Sequence, residues 1–432
     1  MSIKSLFSKI RFKRAFYSLL ALILILLIWA GFALFYDESP DEGRDAFYAN
    51  DQKHVADNQN LVVAISGINA PEGKDSIKHG RFLIDVSKND LMHDIARFIA
   101  NGSAKLNFVG KRDEFECWLD EKLIKTASNC ASVERLEALI LANKTLYSRY
   151  QQLYTMPHWQ GNTFGGGQTI IDLNRLIAAE IKLDVDEGRT EIAYKKWRDN
   201  FLFISHALAA KNTMIERAIF LVADTLSLKS IENILLKSPE ISAQHHDELQ
   251  NLLKPSGLER YNIKNMLRAD YELINNELLT KQQHIYYVHT NFIRNRLYRM
   301  QTDFYESAQK SPSTLTKSNE RFNQQYKSQN LFNINLRDPF NSYLANKITS
   351  GLSIGFELIK AMHHHNAAMS SLNLLTQIRV KNIDSANIQH FINNSATEFN
   401  NPFTDKPLQW SAEKKSIIYK NPSLEESVEF SL

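Results

Sequence analysis

The spacing of apolar residues predicts helices through most of the chain. From about residue 131 to 156, apolar side chains recur every three or four positions, the period of an amphipathic helix. The same spacing marks further helices at 170–181, 192–210, 213–226, 231–236 and 241–253. Residues 258–309 are predicted to form one long or kinked helix, and residues 344–375 another. The predicted fold is therefore mainly α, an irregular helical bundle or a solenoid-like domain.

Three segments depart from this pattern. Leu61–Ile65 is a short apolar run whose length suits either a strand or a short helix, and Asp75 is placed to cap a helix over 76–86. Residues 311–339 are rich in Asn, Gln and Ser and are predicted to form a long loop. The strand-like run 416–419 predicts a small C-terminal β-hairpin.

One helical pair resembles a tetratricopeptide unit. It consists of the helices at 169–183 and 188–210, in which Ala193, Trp197 and Ala207 would alternate small and bulky contacts between packed helices. A repeat architecture needs recurrence at a period of about 34 residues. No such period holds along the chain, so an irregular bundle is an equal alternative.

An uncharged apolar run at residues 15–36 predicts one transmembrane helix. A hydrocarbon core of about 30 Å needs about 20 apolar residues in a helix, and this run is long enough. Five basic residues precede it, whereas four acidic residues follow it closely. The positive-inside rule then places the N-terminus in the cytoplasm and the main domain outside the cytoplasmic membrane.

A cleaved signal peptide is the alternative for this segment. Signal peptides have a shorter apolar region, of about 7–15 residues, followed by small residues at a cleavage site. The best such site ends at Ala33, and bulky Leu34 and Phe35 come directly after it. The length of the run therefore favours an uncleaved anchor.

The anchor divides the chain into six predicted regions. They are a basic cytoplasmic tail at 1–14, the transmembrane helix at 15–36, a linker at 37–59, a helical exported region at 60–256, a long-helix region at 257–400, and a C-terminal hairpin and tail at 401–432.

Composition and charge argue against a nucleic-acid partner. The 432-residue chain has a net charge of +3, and five positive charges precede the apolar run, so the remainder carries a net charge of −2. A near-neutral domain lacks the basic surface with which proteins bind nucleic acid. The content of 44% hydrophobic and 23% charged residues is ordinary for a globular domain.

The two cysteines, Cys117 and Cys130, are predicted to form a disulfide that ties two short helical segments. An exported domain faces an oxidising compartment, and twelve intervening residues do not fit the C-x-x-C spacing of redox motifs or zinc sites. A bridge over this loop length would contribute about 3 kcal/mol in the chain-entropy model. A redox site and a pair of buried free thiols are the alternatives.

A glycine-rich segment at 161–167 precedes a predicted helix. Backbone N–H groups at a helix start could cradle an anion, which makes Gly165, Gly166 and Gly167 candidate ligand contacts. The Gly-Lys-Ser or Gly-Lys-Thr of a phosphate loop is missing. A flexible interhelical loop, in which glycine supplies unusual backbone angles, is the alternative.

A second candidate site combines arginine with aromatic residues on the predicted long helix. Arg294, Arg296 and Arg299 interleave with Phe and Tyr, a mixture that can bind single strands or anionic lipid headgroups. The alternative is a packed aromatic face beside a solvated arginine face. The histidine run 363–365 is not a metal site, because neighbours on a helix point about 100° apart.

Two segments carry a resemblance to a protein family. Leu61–Pro71 reads LVVAISGINAP, and residues 401–407 read NPFTDKP before an aromatic residue and a short strand. They resemble the opening and the closing D-P-F-T-G-K-P segments of uncharacterised bacterial envelope proteins with one N-terminal span and a helical exported domain. Here Asn401 replaces the Asp and Asp405 replaces the Gly. The resemblance implies an envelope location and a terminal hairpin, and it carries no catalytic residue.

These patterns predict a single-pass envelope protein whose helical domain is a non-catalytic scaffold or protein-binding module. No catalytic, metal-binding or cofactor-binding residue is predicted. The alternative is an enzyme or binding protein that acts on lipid or cell-wall material, with the glycine-rich segment and the arginine-rich helix lining a cleft.

Overall fold

Helices dominate the part of the chain that the computed structural model describes. The described residues are 21–26, 37–49, 55–88, 105–119, 130–161, 165–275, 290–310, 312–326, 352–420 and 427–431. Their numbered helices are α1 (Arg44–Tyr48), α2 (Leu61–Ser66), α3 (Ser76–Lys88), α4 (Arg112–Leu119), α5 (Val133–Ala142), α6 (Lys144–Gln152), α7 (Gly167–Asp186), α8 (Thr190–Ala209), α9 (Met214–Lys237), α10 (Glu240–Gln244), α11 (His246–Leu252), α12 (Ile263–Leu273), α13 (Thr290–Ala308), α14 (Leu315–Tyr326), α15 (Leu352–Val380) and α16 (Ile388–Asn393). The prediction of a mainly α fold is confirmed.

Three consecutive helices, α7, α8 and α9, form the middle of the fold. A tight turn reverses the chain between α7 and α8, and Gly188 in that turn has φ +79°. Lys237 and Asp186 pair the C-terminal ends of α9 and α7 at 3.9 Å. Near the other ends, Gly167 packs directly against Ile219. The helices α7 and α9 are therefore parallel, with α8 antiparallel to both.

The helix α8 has the core face that its sequence predicts. Ala193, Trp197 and Ala207 have no solvent exposure. The indole Nε1 of Trp197 donates to the carbonyl of Ser227 on α9 at 3.0 Å. The small residues let the neighbouring helices approach, and the tryptophan fills the space between them.

The helix α15 covers the described part of the long helix predicted over 344–375, since residues 344–351 lie outside the described part, and it runs parallel to α9. It is not amphipathic as expected, because every residue from 365 to 376 is buried. Its predicted apolar positions Phe356, Ile359, Met362, Met369, Leu372 and Leu375 are all buried. Near its C-terminal end, the guanidinium of Arg379 donates to the carbonyl of Leu235 at the C-terminal end of α9. One hydrophobic core reaches from Leu61 to Phe430, so the predicted regions 60–256, 257–400 and 401–432 share a core.

The helices α2 and α3 cross at two glycines. The ambiguous apolar run at 61–65 is helical and wholly buried, and Asp75 accepts hydrogen bonds from the first turn of α3, as predicted. An added Cβ on Gly67 would lie 1.8 Å from the carbonyl oxygen of Ser76, and one on Gly80 would lie 1.9 Å from that of Val63. A side chain at either glycine would force the two backbones apart.

The C-terminal segment forms a three-stranded antiparallel sheet, β1 (Gln409–Ser411), β2 (Ser416–Lys420) and β3 (Ser427–Ser431), in the order β1-β2-β3. The predicted hairpin is β1 and β2, and β3 was missed. Asn401 is buried and donates to the carbonyl of Lys420 at 3.1 Å. Asp405 has φ +55°, a conformation that glycine adopts at no steric cost.

Several predicted boundaries need correction. The predicted helices at 213–226 and 231–236 are one helix, α9, whereas 131–156 and 241–253 are each divided in two. The single helix predicted over 258–309 is represented by α12 and α13, with residues 276–289 outside the described part. The helix α14 lies within the predicted polar loop. Its Lys, Glu, Arg and Gln residues have good helix propensity, and burial of Leu315 and Phe322 supplies the tertiary contact.

The predicted transmembrane segment lies mostly outside the described residues. Of residues 15–36, the structure describes 21–26, which are helical. Within the described residues, no helix combines the length and the apolar character needed to cross a membrane.

The two cysteines are bonded to each other. Cys117 of α4 and Cys130, just before α5, have their sulfur atoms 2.06 Å apart. Trp118 donates from Nε1 to the carbonyl of Ala131 at 3.1 Å beside the bridge. The bond therefore joins a helix to the chain leading into the next helix.

Replacing both cysteines by alanine should lower the free energy of unfolding by about 3 kcal/mol, because the unfolded chain regains the freedom of a short loop. Urea titration of the wild type and of the double variant measures this difference. A reductant should produce the same loss in the wild type and none in the variant. Equal stability of the oxidised wild type and the variant would contradict the prediction.

Candidate functional site

Two glycines of the predicted anion-binding segment are needed for helix packing. Gly166 has φ +80°, and an added Cβ there would lie 2.4 Å from the carbonyl oxygen of Ile65 in α2. An added Cβ on Gly167 would lie 2.4 Å from Cδ1 of Ile219 in α9. These positions are glycine because neighbouring elements leave no space for a side chain.

The third candidate glycine has a different environment. Gly165 has φ +81°, and an added Cβ would meet nothing within 4 Å. Its positive φ suits the turn that leads into α7. Residues 162–164 of the predicted loop lie outside the described residues.

The candidate arginines bind groups of the protein itself. Arg299 of α13 donates from Nε and Nη2 to the two carboxylate oxygens of Asp41, at 2.6 and 2.7 Å. Arg294 donates from Nε to the side-chain oxygen of Asn275 at 2.8 Å. Arg296 is half-buried on the same helix, and burial lowers its pKa. Arg294 and Arg299 therefore already have hydrogen-bond partners within the protein.

A buried carboxylate instead joins four elements in the core. Asp224 of α9 has no solvent exposure, and it accepts hydrogen bonds from Arg260 at 2.8 and 3.0 Å and from Nδ1 of His365 at 2.8 Å. Arg260 lies in the 3-10 turn Glu259–Tyr261, and His365 lies in α15. Arg260 also donates to Oγ of Ser205 on α8 at 2.9 Å. These residues, Asp224, Arg260, His365 and Ser205, are called the Asp224 cluster below.

The electrostatics of the Asp224 cluster favour the ionised carboxylate. Burial by itself would raise the pKa of Asp224, but the charge of Arg260 and the hydrogen bond from His365 outweigh it and lower the pKa to about 2. The ring of Phe201 lies 4.8 Å from the Arg260 guanidinium carbon, a cation–π contact. Asp224 and Arg260 therefore form a buried ion pair.

Thr225 connects the Asp224 cluster to the surface. Its Oγ1 lies 2.9 Å from Nε2 of His365, and the residue is exposed on α9. An ionised carboxylate only accepts hydrogen bonds, so Nδ1 of His365 carries a proton. Carboxylate, imidazole and hydroxyl thus stand in the order of a hydrolase triad.

Other features of Thr225 oppose a nucleophilic role. Its hydroxyl donates to the carbonyl of Leu221 at 3.0 Å, so its one proton is not directed to Nε2 of His365. Backbone N–H groups in the middle of a helix are bonded within that helix, so those around Thr225 are not available to stabilise an oxyanion. The arrangement can hold helices together, and the described backbone beside Thr225 offers no donor to an oxyanion.

The sequence also contains the pattern G-x-S-x-G at 351–355. In hydrolases this pattern marks a turn between a strand and a helix that presents the serine. Here Leu352 already begins α15. Residues 352–355 of the pattern therefore lie within a helix and not in such a turn.

The described pockets lie away from the Asp224 cluster. One cavity of about 710 Å³ beside the disulfide is lined by Gly110, Lys111, Asp113, Glu114, Cys130, Ala131, Ser132 and Arg135. Another of about 600 Å³ is lined by Asp57, Asn58, Asp75, Ile77, Lys78 and Arg81. Within the described ranges, no group of three or more His, Cys, Asp or Glu side chains is arranged to hold a metal ion.

Sequence reasoning missed the Asp224 cluster although one signal was present. Asp224 is the only charged residue in the apolar run Ala218–Leu228, and a charge in such a position needs a buried partner. The argument that the histidines diverge was correct, because His364 faces the Tyr419 hydroxyl at 3.2 Å while His365 faces Asp224. The partners come from segments distant in sequence, so no local pattern identified them.

Comparison with known proteins gives no match: no family model, curated protein or solved structure corresponds to this chain. The resemblance to bacterial envelope proteins therefore stays a prediction.

Replacing Asp224 by Asn should lower the free energy of unfolding at pH 7 by about 3–5 kcal/mol, because Arg260 is left as an unpaired buried charge. The lowered pKa also predicts a pH dependence. The stabilisation from Asp224 is present above its unfolded pKa of about 3.9 and is lost as pH falls toward about 2. Urea titrations between pH 2 and 7 measure both effects.

The matched control is Glu429→Gln, which removes one partner of the more exposed Lys414–Glu429 pair. A surface pair contributes at most about 1 kcal/mol. Equal losses in Asp224→Asn and Glu429→Gln would show that the Asp224 cluster does not stabilise the core.

Proposed function

We propose that this protein is a single-pass envelope protein whose helical domain binds a protein partner outside the cytoplasmic membrane. The N-terminus lies in the cytoplasm, and residues 15–36 form the anchor. The basic flank before that run and the acidic flank after it support this orientation. The disulfide between Cys117 and Cys130 suits an oxidising compartment.

The described part of the proposed anchor has the surface expected of a lipid-facing helix. Residues 22–26 are five consecutive Leu and Ile side chains, each 46% to 61% exposed. Consecutive residues of a helix cover its whole circumference. A helix that is apolar on all sides must be covered by protein core or by lipid, and these side chains are not covered by the domain.

The observation that supports a protein partner is an apolar stripe on α9. Ile215 is 76% exposed and Val222 is 40% exposed, and half-buried Ile219 and Leu226 lie on the same face. These four residues are called the α9 stripe below. The opposite side of the helix is packed against α7, α8 and α15. The four residues therefore form an apolar stripe on its outer side, beside exposed Thr225 and Lys229.

The dimensions of the α9 stripe suit the apolar face of a partner helix. From Ile215 to Leu226 the axial rise is about 17 Å, or three turns. The four residues follow the i, i+4, i+7, i+11 spacing of one helix face, against which the apolar face of another helix can pack. The partner is therefore expected to supply an amphipathic helix of at least three turns.

Photocrosslinking in cells tests this function. A benzophenone amino acid at Val222 should give one discrete crosslinked product, and Ile215→Glu should abolish it by placing a charge in the contact. The control position is Leu141 on α5, which is 71% exposed and should give no such product. Equal crosslinking from positions 222 and 141, or a product unaffected by Ile215→Glu, would refute the α9 stripe as the binding site.

A further inference from the structure

The helix α13 is capped by an acidic residue that immediately follows the proposed anchor. The carboxylate of Asp37 accepts the backbone N–H of Asn291 at 2.9 Å and that of Phe292 at 3.0 Å. These are among the N–H groups that the first turn of a helix leaves without partners. The negative charge also interacts favourably with the positive end of the helix dipole.

The segment from Asp37 to Tyr48 is fastened along α13 and is called the strap below. Asn295, which has no solvent exposure, donates to the carbonyl of Ser39 at 2.7 Å and accepts from the backbone N–H of Asp41 at 3.0 Å. Arg44 donates to the same Asn295 oxygen at 3.0 Å. The predicted linker is therefore bound to the domain over this part of its length.

The C-terminal end of the strap also forms contacts with the domain. The hydroxyl of Tyr48 donates to the side chain of Gln301 at 2.6 Å, and its ring stacks on that of Tyr271 with centroids 3.5 Å apart. Arg268 donates to the carbonyl of Phe47 at 2.9 Å. Contacts at both ends and in the middle fix the direction in which the chain enters the domain.

We infer that the strap holds the domain against the membrane surface, with the N-terminal end of α13 facing the bilayer. This inference rests on the proposed anchor, whose last residue, Tyr36, precedes the capping Asp37. No free linker separates the proposed span from α13. The helix then rises about 28 Å from its capped end, so its C-terminal end lies further from the lipid.

Charge indicates that attachment, and not attraction to anionic headgroups, sets this orientation. Arg299 is paired with Asp41, and the strap also carries Asp37, Glu38 and Glu42. Arg44, Arg294 and Arg296 lie in the strap or in the first half of α13, so charges of both signs are present beside the proposed membrane face. The orientation should therefore not require anionic lipid, and a zwitterionic bilayer is the surface used to test it.

Energy transfer from the protein to the bilayer tests the orientation. Thr290→Cys and Lys310→Cys place a single reactive thiol at the two ends of α13, because the native cysteines are bonded to each other. Each variant of the full chain is labelled with a donor dye and reconstituted into phosphatidylcholine vesicles that contain a headgroup-labelled acceptor lipid. Transfer should be clearly more efficient from position 290 than from position 310.

Substituting the capping residue Asp37 should reduce the difference in transfer efficiency between positions 290 and 310. Asp37→Ala removes the carboxylate that binds α13, so the domain samples more orientations and the two efficiencies approach each other. Glu306→Ala, an exposed position on α13 away from the strap, is the control and should leave the difference unchanged. Equal efficiencies in the otherwise wild-type chain, or no effect of Asp37→Ala, would overturn the inference.

The anchor is tested separately on the same vesicles. Extraction at alkaline pH should leave the protein in the membrane if the anchor spans it. Release by this extraction would refute the proposed anchor. Retention together with equal transfer from positions 290 and 310 would refute the orientation alone.

Discussion

The buried charge of Asp224 constrains how the core is assembled. Its carboxylate needs partners because an unpaired charge in an apolar interior is very costly. The partners, Arg260 and His365, come from a short turn and from α15, both far from α9 in sequence. Apolar packing is non-directional, whereas these hydrogen bonds fix one rotation and one axial position for each element around α9.

Other features of the fold follow from the central position of α9. With α7 and α15 parallel to it and α8 antiparallel, the outer side of α9 remains uncovered, and the α9 stripe lies on that side beside exposed Thr225 and Lys229. Close packing around α9 also explains Gly167, which has no room for a side chain beside Ile219. A second buried polar group joins α6, α7 and α8. There, Asn200 of α8 forms hydrogen bonds with Tyr150 and Asn174 at 2.9 and 3.0 Å.

Local sequence patterns predicted those helices whose position depends on apolar spacing or on a capping residue. The apolar period located α7, α8 and α15, and the Asp75 cap located the start of α3. Tertiary contacts determined the rest. The helix α14 forms in a polar segment by burying Leu315 and Phe322, and β3 forms by pairing with β2. The strap looked like a linker because its partners, Asn295 and Gln301, are some 250 residues away.

The candidate sites, too, were located by local sequence patterns but are explained by tertiary contacts. The sequence indicated where glycine and arginine are concentrated, but only the fold shows that Gly166 meets Ile65 and that Arg299 meets Asp41. The Asp224 cluster could have been suspected from one charge in an apolar helix. Its partners could not be named, because hydrogen bonding between distant segments leaves no periodic signal.

The central claim is that the Asp224 cluster makes α8, α9, the Arg260 turn and α15 one cooperative unit. Amide hydrogen exchange, read segment by segment in the wild type and in Asp224→Asn, tests it most directly. Loss of the carboxylate should reduce protection in all four elements together, with free energies of opening that fall by similar amounts. A loss confined to the turns of α9 around residue 224, with α8 and α15 still fully protected, would contradict it.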